Sequence, residues 1–347
     1  MPNQAPFEIG GIKIEAGTRQ TIDLPISMSS AHFPVTMPVH VVHGRRAGPT
    51  MFVSAAIHGD EIIGVEIVRR LLRAKNLKTV SGTLLAVPIV NTLGFMNHSR
   101  YLPDRRDLNR CFPGGTKGAL ASRLANLYMN EIVRKSDIGI DLHSAAIHRS
   151  NLPQIRVSES KPETMELAKA FGAPIILTSK VREGSLRHSA HAEGVDILLY
   201  EAGEGLRFDE FAIRAGVSGI LRVMKQLDMI SSKGVPALKT ASIQSTASYW
   251  LRAPEGGLLR TYRTIGEEVR EGDVVGAVSD PFGQVESEVV AAYGGLIIGR
   301  AILPVVNEGD ALFHIAKHSQ TRTAEEKIGN QMEQLDADPL FDEDEII

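Results

Sequence analysis

Several protein classes need residues or patterns that this chain has little of. Its 347 residues include one cysteine, Cys111, so no intrachain disulfide can form and no cysteine-based zinc cluster can be built. No apolar run approaches the roughly 20 residues a membrane helix needs. The start, Met1-Pro-Asn-Gln-Ala-Pro-Phe-Glu8, has no basic stretch followed by an apolar core. It does not read as a secretory signal, and a cytoplasmic protein is expected. The net charge is only −3, which gives no electrostatic reason to expect nucleic acid or an anionic membrane as partner. Hydrophobic and charged contents of 43% and 23% are ordinary for a globular protein, and the length allows about two domains or one with an appendage. Any metal would have to be held by histidine and carboxylate.

The chain does contain such a set. In Met51-Phe-Val-Ser-Ala-Ala-Ile-His58-Gly-Asp-Glu61 an apolar run stops at a His, a Gly and two acids, and a helical pattern follows. A buried parallel strand ends this way at the carboxyl edge of an open α/β sheet, where ligands bind. His58 and Glu61, three apart at the turn, can converge on one point. An imidazole with a carboxylate suits Zn²⁺, which needs at least one further protein ligand. The plainer alternative is a helix start with two acids near its positive end and an incidental His.

Two more apolar runs end in the same manner, Ile138-Gly-Ile-Asp141-Leu-His143-Ser144 and Asp196-Ile-Leu-Leu-Tyr200-Glu201-Ala-Gly203. Helical patterns at 62–75, 117–135 and 208–227 alternate with these strands. The expected fold class is α/β, a mixed, mostly parallel sheet flanked by helices, with an appended small all-β domain. Residues 1–45 read as an N-terminal β segment and 46–230 as the α/β domain. A Ser/Thr-rich linker is expected at 231–246 and a Gly-punctuated barrel-like β module at 247–316. The module is similar to half of a lipoyl or biotinyl carrier, but no lysine lies between Lys239 and Lys317 to hold a prosthetic arm. Residues 317–347 form a polar tail, with seven acids from Glu333 onward. That tail is expected to be mobile, with Leu340-Phe341 and Ile346-Ile347 as docking points.

Parallel strands present their carboxyl ends on one edge, so His58, Glu61, His143 and Glu201 can meet in one crevice. Two His and one Glu leave a fourth zinc position open for water, the catalytic arrangement. Glu201, a carboxylate on a separate apolar strand, is the candidate general base. The loop Ser99-Arg100-Tyr101 through Asp107-Leu-Asn109-Arg110-Cys-Phe-Pro-Gly114 supplies a complement. Asn109 and Arg110 can grip a carboxylate. Arg100 can face a developing oxyanion, and Asp107 can orient a zinc-bound imidazole. His40 and His43, on opposite faces of a strand-like run, read as structural, as does the pair His188 and His191. Cys111 reads as a packing residue.

The segments His58-Gly-Asp-Glu61, Asp107-Leu-Asn-Arg-Cys-Phe-Pro-Gly114, Asp141-Leu-His-Ser144 and Tyr200-Glu-Ala-Gly-Glu204, in this order, resemble the succinylglutamate desuccinylase/aspartoacylase family, zinc amidohydrolases on the carboxypeptidase A fold. The resemblance implies one zinc ion on His58, Glu61 and His143, Glu201 as base, and Asn109 and Arg110 on the substrate carboxylate. It also implies Arg100 on the scissile carbonyl, although the spacing from Arg100-Tyr101 to Asp107 is two residues longer than in aspartoacylase. Arg187 would be a further substrate arginine, and one of Tyr249, Tyr262 and Tyr293 would reach the substrate from the C-terminal domain. The implied substrate is a small acyl-amino acid. A zinc carboxypeptidase, an N-acetyl-diaminobutyrate-type deacetylase and a non-catalytic zinc-binding protein are the alternatives, and homo-oligomerisation is left open.

Overall fold

In a computed structural model describing residues 4–158, 161–317 and 324–336, alternation along the run Met51–Ala55 sorts side chains onto two faces of a sheet. Met51, Val53 and Ala55 enter one core and Phe52 the other, as the period of two requires. We label the strands of the main path β1 (Thr18–Met28), β2 (Pro34–His43), β3 (Arg46–Ala55), β4 (Ser81–Val87) and β5 (Ile138–His143). They continue as β6 (Arg149–Val157), β7 (Asp196–Gly203), β8 (Ala247–Arg252), β9 (Gly295–Ala301) and β10 (Ala311–Lys317). Their order across the sheet is β8-β10-β9-β6-β7-β5-β3-β4-β2-β1. The four central strands β4, β3, β5 and β7 are parallel. Pairing turns antiparallel at β7–β6, β6–β9 and β9–β10 on one flank and at β4–β2 and β2–β1 on the other. The fold is therefore a mixed sheet flanked by helices, with a further antiparallel sheet at the C-terminal end.

Helices cover both faces. On one, α1 (Ile63–Arg73), α3 (Pro162–Phe171) and α5 (Glu210–Gln226) bury Ile67, Leu71, Phe171, Val217 and Leu221 against Ile140 and Leu142. On the other, α2 (Leu120–Glu131) and α4 (Leu186–Ala192) pack Leu124, Tyr128 and Leu186 against Phe52 and Leu85. Helix α1 lies unusually near the strands. A Cβ on Gly64 would come within 2.7 Å of the Ala55 Cβ and 2.8 Å of the Leu142 Cβ. That approach fixes the turn carrying His58 and Glu61. Ala56, at φ 52°, ends β3 in the left-handed region that L-residues rarely occupy.

The sequence expected a linker at 231–246. Residues Ile243–Ser245 form a strand there, parallel to Ile175–Thr178. Strands β8, β9 and β10 join the main sheet, with Gly299 opposite Asn151 on β6. A four-stranded antiparallel sheet, Glu286–Val290, Val274–Ser279, Gly257–Thr261 and Val305–Val306, closes over them around Val275, Ile297, Leu312 and Phe313. The expected mobile tail holds α6 (Ala324–Asp336), which buries Ile328 and Leu335. Its last turn accepts a hydrogen bond from the Arg214 guanidinium at the Leu335 carbonyl, 3.1 Å. The apolar spacing of Ile328 and Leu335 is helical, but the charge of this stretch masks it. Leu340, Phe341, Ile346 and Ile347 lie outside the described residues. No described helix is long and apolar enough to cross a membrane.

Candidate active site

The parallel centre of the sheet delivers three groups to one edge. His58 and Glu61 follow β3, His143 ends β5, and Glu201 on β7 stands in register with His143. The His58, Glu61 and His143 side chains are buried and offer ligand atoms within 4.8 Å of one another. Glu61 lies between the rings, with Oε1 2.6 Å from His58 Nδ1 and Oε2 2.7 Å from His143 Nδ1. Each imidazole turns its other nitrogen to a carboxylate. His143 Nε2 is 2.8 Å from Asp141 Oδ2, and His58 Nε2 is 3.1 Å from Asp107 Oδ1. Such partners hold metal-binding imidazoles with the opposite nitrogen free to ligate. Two Nδ1 atoms and a carboxylate converging in a buried cluster, each ring braced from behind, fit a zinc ion by donor chemistry.

Electrostatics follow from this crowding. Burial alone would lower the His143 pKa, but the Asp141 and Glu61 carboxylates outweigh it and raise the value well above the ordinary one. For His58 burial is again opposed, chiefly by Glu61 and Asp107, and the net shift is upward. Burial disfavours the Glu61 charge, yet the two imidazoles hold its carboxyl far below the usual range. Arg100 closes the ring of charges, with Nη1 3.1 Å from Glu61 Oε1 and Nη2 3.0 Å from Asp107 Oδ2.

All these ligand-set residues, with Arg100, Asn109, Arg110 and Glu201, line a cavity of about 530 Å³. Asn109 is tied on one side, its Oδ1 accepting from the Leu186 N–H at 2.9 Å. Arg110 Nη1 donates to the Asn109 carbonyl at 2.6 Å. Arg187 also lines the cavity. Burial, then the nearby Arg156 charge, pushes its guanidinium down to about 10, and its buried Nη1 has no hydrogen-bond partner among the described residues. Seven arginines and lysines line the space against three carboxylates. Arg100 and Arg156 are paired with acids. Arg110, Arg149, Lys180, Arg182 and Arg187 have no acidic partner among the described residues. The cavity is therefore suited to an anion.

His40, His43, His188, His191 and Cys111, which read as structural from the sequence, do not line this cavity. His43 is buried on Thr83 and the Ala5 carbonyl. His191 faces Asp196, and the Cys111 thiol lies 3.3 Å from the Asp107 carbonyl. The site also holds residues beyond the candidate set read from the sequence, Asn151, Arg156, Asp141 and Trp250. Glu201 is held through Oε2 by the Asn151 amide at 2.8 Å and by Arg156 Nη2 at 3.0 Å. Both come from β6, and the antiparallel register that pairs Glu201 with Gln154 sets Arg156 diagonally beside it. Asp141 behind His143 was legible, because residues two apart on a strand share a face. Trp250, from β8, lines the cavity, whereas Tyr249, Tyr262 and Tyr293 do not.

Comparison with known proteins bears on this geometry. Residues 47–227 match the family described as the succinylglutamate desuccinylase/aspartoacylase catalytic domain. The chain is 28% identical over 309 residues to the N-alpha-acetyl-L-2,4-diaminobutyric acid deacetylase of Halomonas elongata, spanning 85% of this chain and 90% of that protein. It superimposes on a succinylglutamate desuccinylase/aspartoacylase from Rhodobacter sphaeroides with a TM-score of 0.77 at 25% identity, covering 87% of this chain and 96% of the other. The product-bound ectoine utilization protein EutE (DoeB) of Ruegeria pomeroyi shares the fold, with a TM-score of 0.80 at 23% identity, covering 91% and 99%.

Proposed function

Because the chain belongs to the succinylglutamate desuccinylase/aspartoacylase family, we propose that it hydrolyses the amide bond of a small N-acylated amino acid, with one zinc ion held by His58, Glu61 and His143. The observation that supports this most strongly is the meeting of that donor set with Glu201 in one cavity. Zinc, when bound, supplies Lewis-acid polarisation of the scissile carbonyl and brings the pKa of water towards neutral.

The chain's own groups do the rest. Asp107 and Asp141 accept from the Nε2–H atoms of His58 and His143, which leaves Nδ1 as the ligating atom on each ring. Asn151 and Arg156 both bind Glu201 at Oε2, so Oε1 is the atom that takes the proton of the attacking water. Glu201 then returns that proton to the leaving nitrogen. Arg100 has further N–H donors beyond the two used on Glu61 and Asp107. These face the carbonyl oxygen as it gains charge. Asn109, Arg110 and Arg187 hold the substrate carboxylate, which is the use the surplus of cations supports.

A second reading within the same chemistry is deacetylation of an N-acetyl-diaminobutyrate, the substrate named for the Halomonas elongata relative. The deciding experiment is a hydrolysis panel of N-acetyl, N-succinyl and short peptide substrates, run on enzyme of measured zinc content. Turnover of acyl-amino acids with about one zinc per chain is expected. Peptide cleavage alone would make the chain a carboxypeptidase, and the absence of both zinc and turnover would make it a binding protein.

A further inference from the structure

The C-terminal module places one aromatic residue in the cavity, and it is the only tryptophan in the chain. Trp250 sits on β8 opposite His314 of β10. The two rings stack with centroids 4.5 Å apart and planes 8° from parallel. His314 is itself anchored, its Nε2 2.9 Å from Ser248 Oγ. Burial, with a contribution from Arg156, pushes its imidazole down to about 3, so a neutral ring backs the indole at physiological pH. The Arg149 guanidinium lies 5.6 Å from the indole centroid, within the usual range of a cation–π contact. Arg149 makes no ion pair with an acid among the described residues. Strand β8 is thus held so that its Trp forms a fixed wall beside an available cation, not a loose surface aromatic.

The position of that wall relative to the chemistry follows from the shared cavity and from the contact with Arg149. The metal-ligand cluster belongs to β3 and β5, Glu201 to β7, and Arg149 to β6. Strands β9 and β10 separate β8 from β6 in the sheet, and the indole reaches across them to Arg149, 5.6 Å from its guanidinium. The carbonyl oxygen faces the metal-ligand side and Arg100. The leaving nitrogen must come within hydrogen-bond reach of Glu201 to receive its proton. The half of the substrate that extends past Glu201 is therefore the amine half.

On the reading proposed above, we infer that Trp250, backed by His314 and flanked by Arg149, is a specificity-determining residue for the leaving amine, so the C-terminal module selects the amino acid and not the acyl group. The indole edge limits the bulk of the amino-acid side chain, and Arg149 favours one that ends in an anion.

Two measurements test this. In the first, N-acetyl-glycine, N-acetyl-aspartate, N-acetyl-glutamate and Nα-acetyl-2,4-diaminobutyrate hold the acyl group constant, and N-succinylglutamate against N-acetylglutamate holds the amine constant. Trp250→Ala should re-rank kcat/KM among the four amines by at least about tenfold while changing the succinyl/acetyl ratio less than about threefold. Trp250→Phe keeps a ring on His314 and should fall between, and it serves alone if the alanine variant does not fold. An unchanged amine ranking, or a larger change in the acyl ratio, overturns the inference. In the second, tryptophan emission of the wild-type protein reports this residue alone. Free glutamate should change the emission saturably, in metal-free protein as well, and acetate should not. An emission that ignores glutamate, or follows acetate equally, also overturns it. Failure of every panel substrate to turn over would overturn the proposed function instead, and the emission titration is independent of that.

Discussion

At the scale of single residues, the proposed mechanism separates a group that must react from one that must wait for an anion. Replacing Glu201 with Gln removes the proposed proton acceptor yet keeps the contact with Arg156 and nearly the same volume. Zinc content should stay near wild type while kcat falls by about 10²–10⁴-fold, the usual worth of a positioned base. Near-normal turnover would show that Glu201 is not the base. Arg187 is the reverse case, since its guanidinium is held at about 10 mainly by burial. For a cation whose folded pKa lies below its unfolded value, the charged form costs stability below that folded pKa. The cost is relieved as pH rises above about 10 towards the ordinary arginine range. At neutral pH it is fully present. Arg187→Gln should therefore raise the Tm of the ligand-free protein and raise KM for a carboxylate-bearing substrate several-fold. A lower Tm would mean that Arg187 has a structural job.

At the scale of elements, the ends of β3, β5 and β7 were legible because a buried parallel strand has a simple pattern, apolar until it meets the crevice. His58, Glu61, His143 and Glu201 each break that pattern at the same kind of place. The supports of Glu201 were not legible. Asn151 and Arg156 reach it only through the antiparallel register of β6 on β7, and no local signal in the sequence encodes a register between remote strands. Trp250 was hidden for a similar reason, because its neighbours in sequence gave no sign that β8 would fold back onto Arg149. The helical character of α6 was present in its spacing but outweighed by its acids. The same register yields a prediction about β9. A Cβ on Gly299 would stand 2.6 Å from Asn151 Oδ1, so Gly299→Ala must displace the amide that holds Glu201. We expect kcat to drop about tenfold or more with zinc content unchanged. An unaltered kcat would show that Asn151 does not position the base.

At the scale of the whole molecule, the cluster of Glu61, Asp107, Asp141, His58 and His143 concentrates charge in the interior between β3, β5 and the loop before α2. A divalent cation that binds only the folded form stabilises it by mass action. Stripping zinc with a chelator should lower Tm, and re-addition should restore both Tm and turnover. A Tm indifferent to zinc would argue that the metal sits elsewhere or only loosely.

The ladder between β6 and β9 is registered over three residues, Arg149 to Asn151, and that same stretch supplies the amide on Glu201 and the cation beside the indole. A slip of one position there would point Asn151 to the wrong side while most of both halves stayed intact. Heat should accordingly silence the enzyme some degrees before circular dichroism records any melting, so the first casualty of warming is aim and the fold itself fails later.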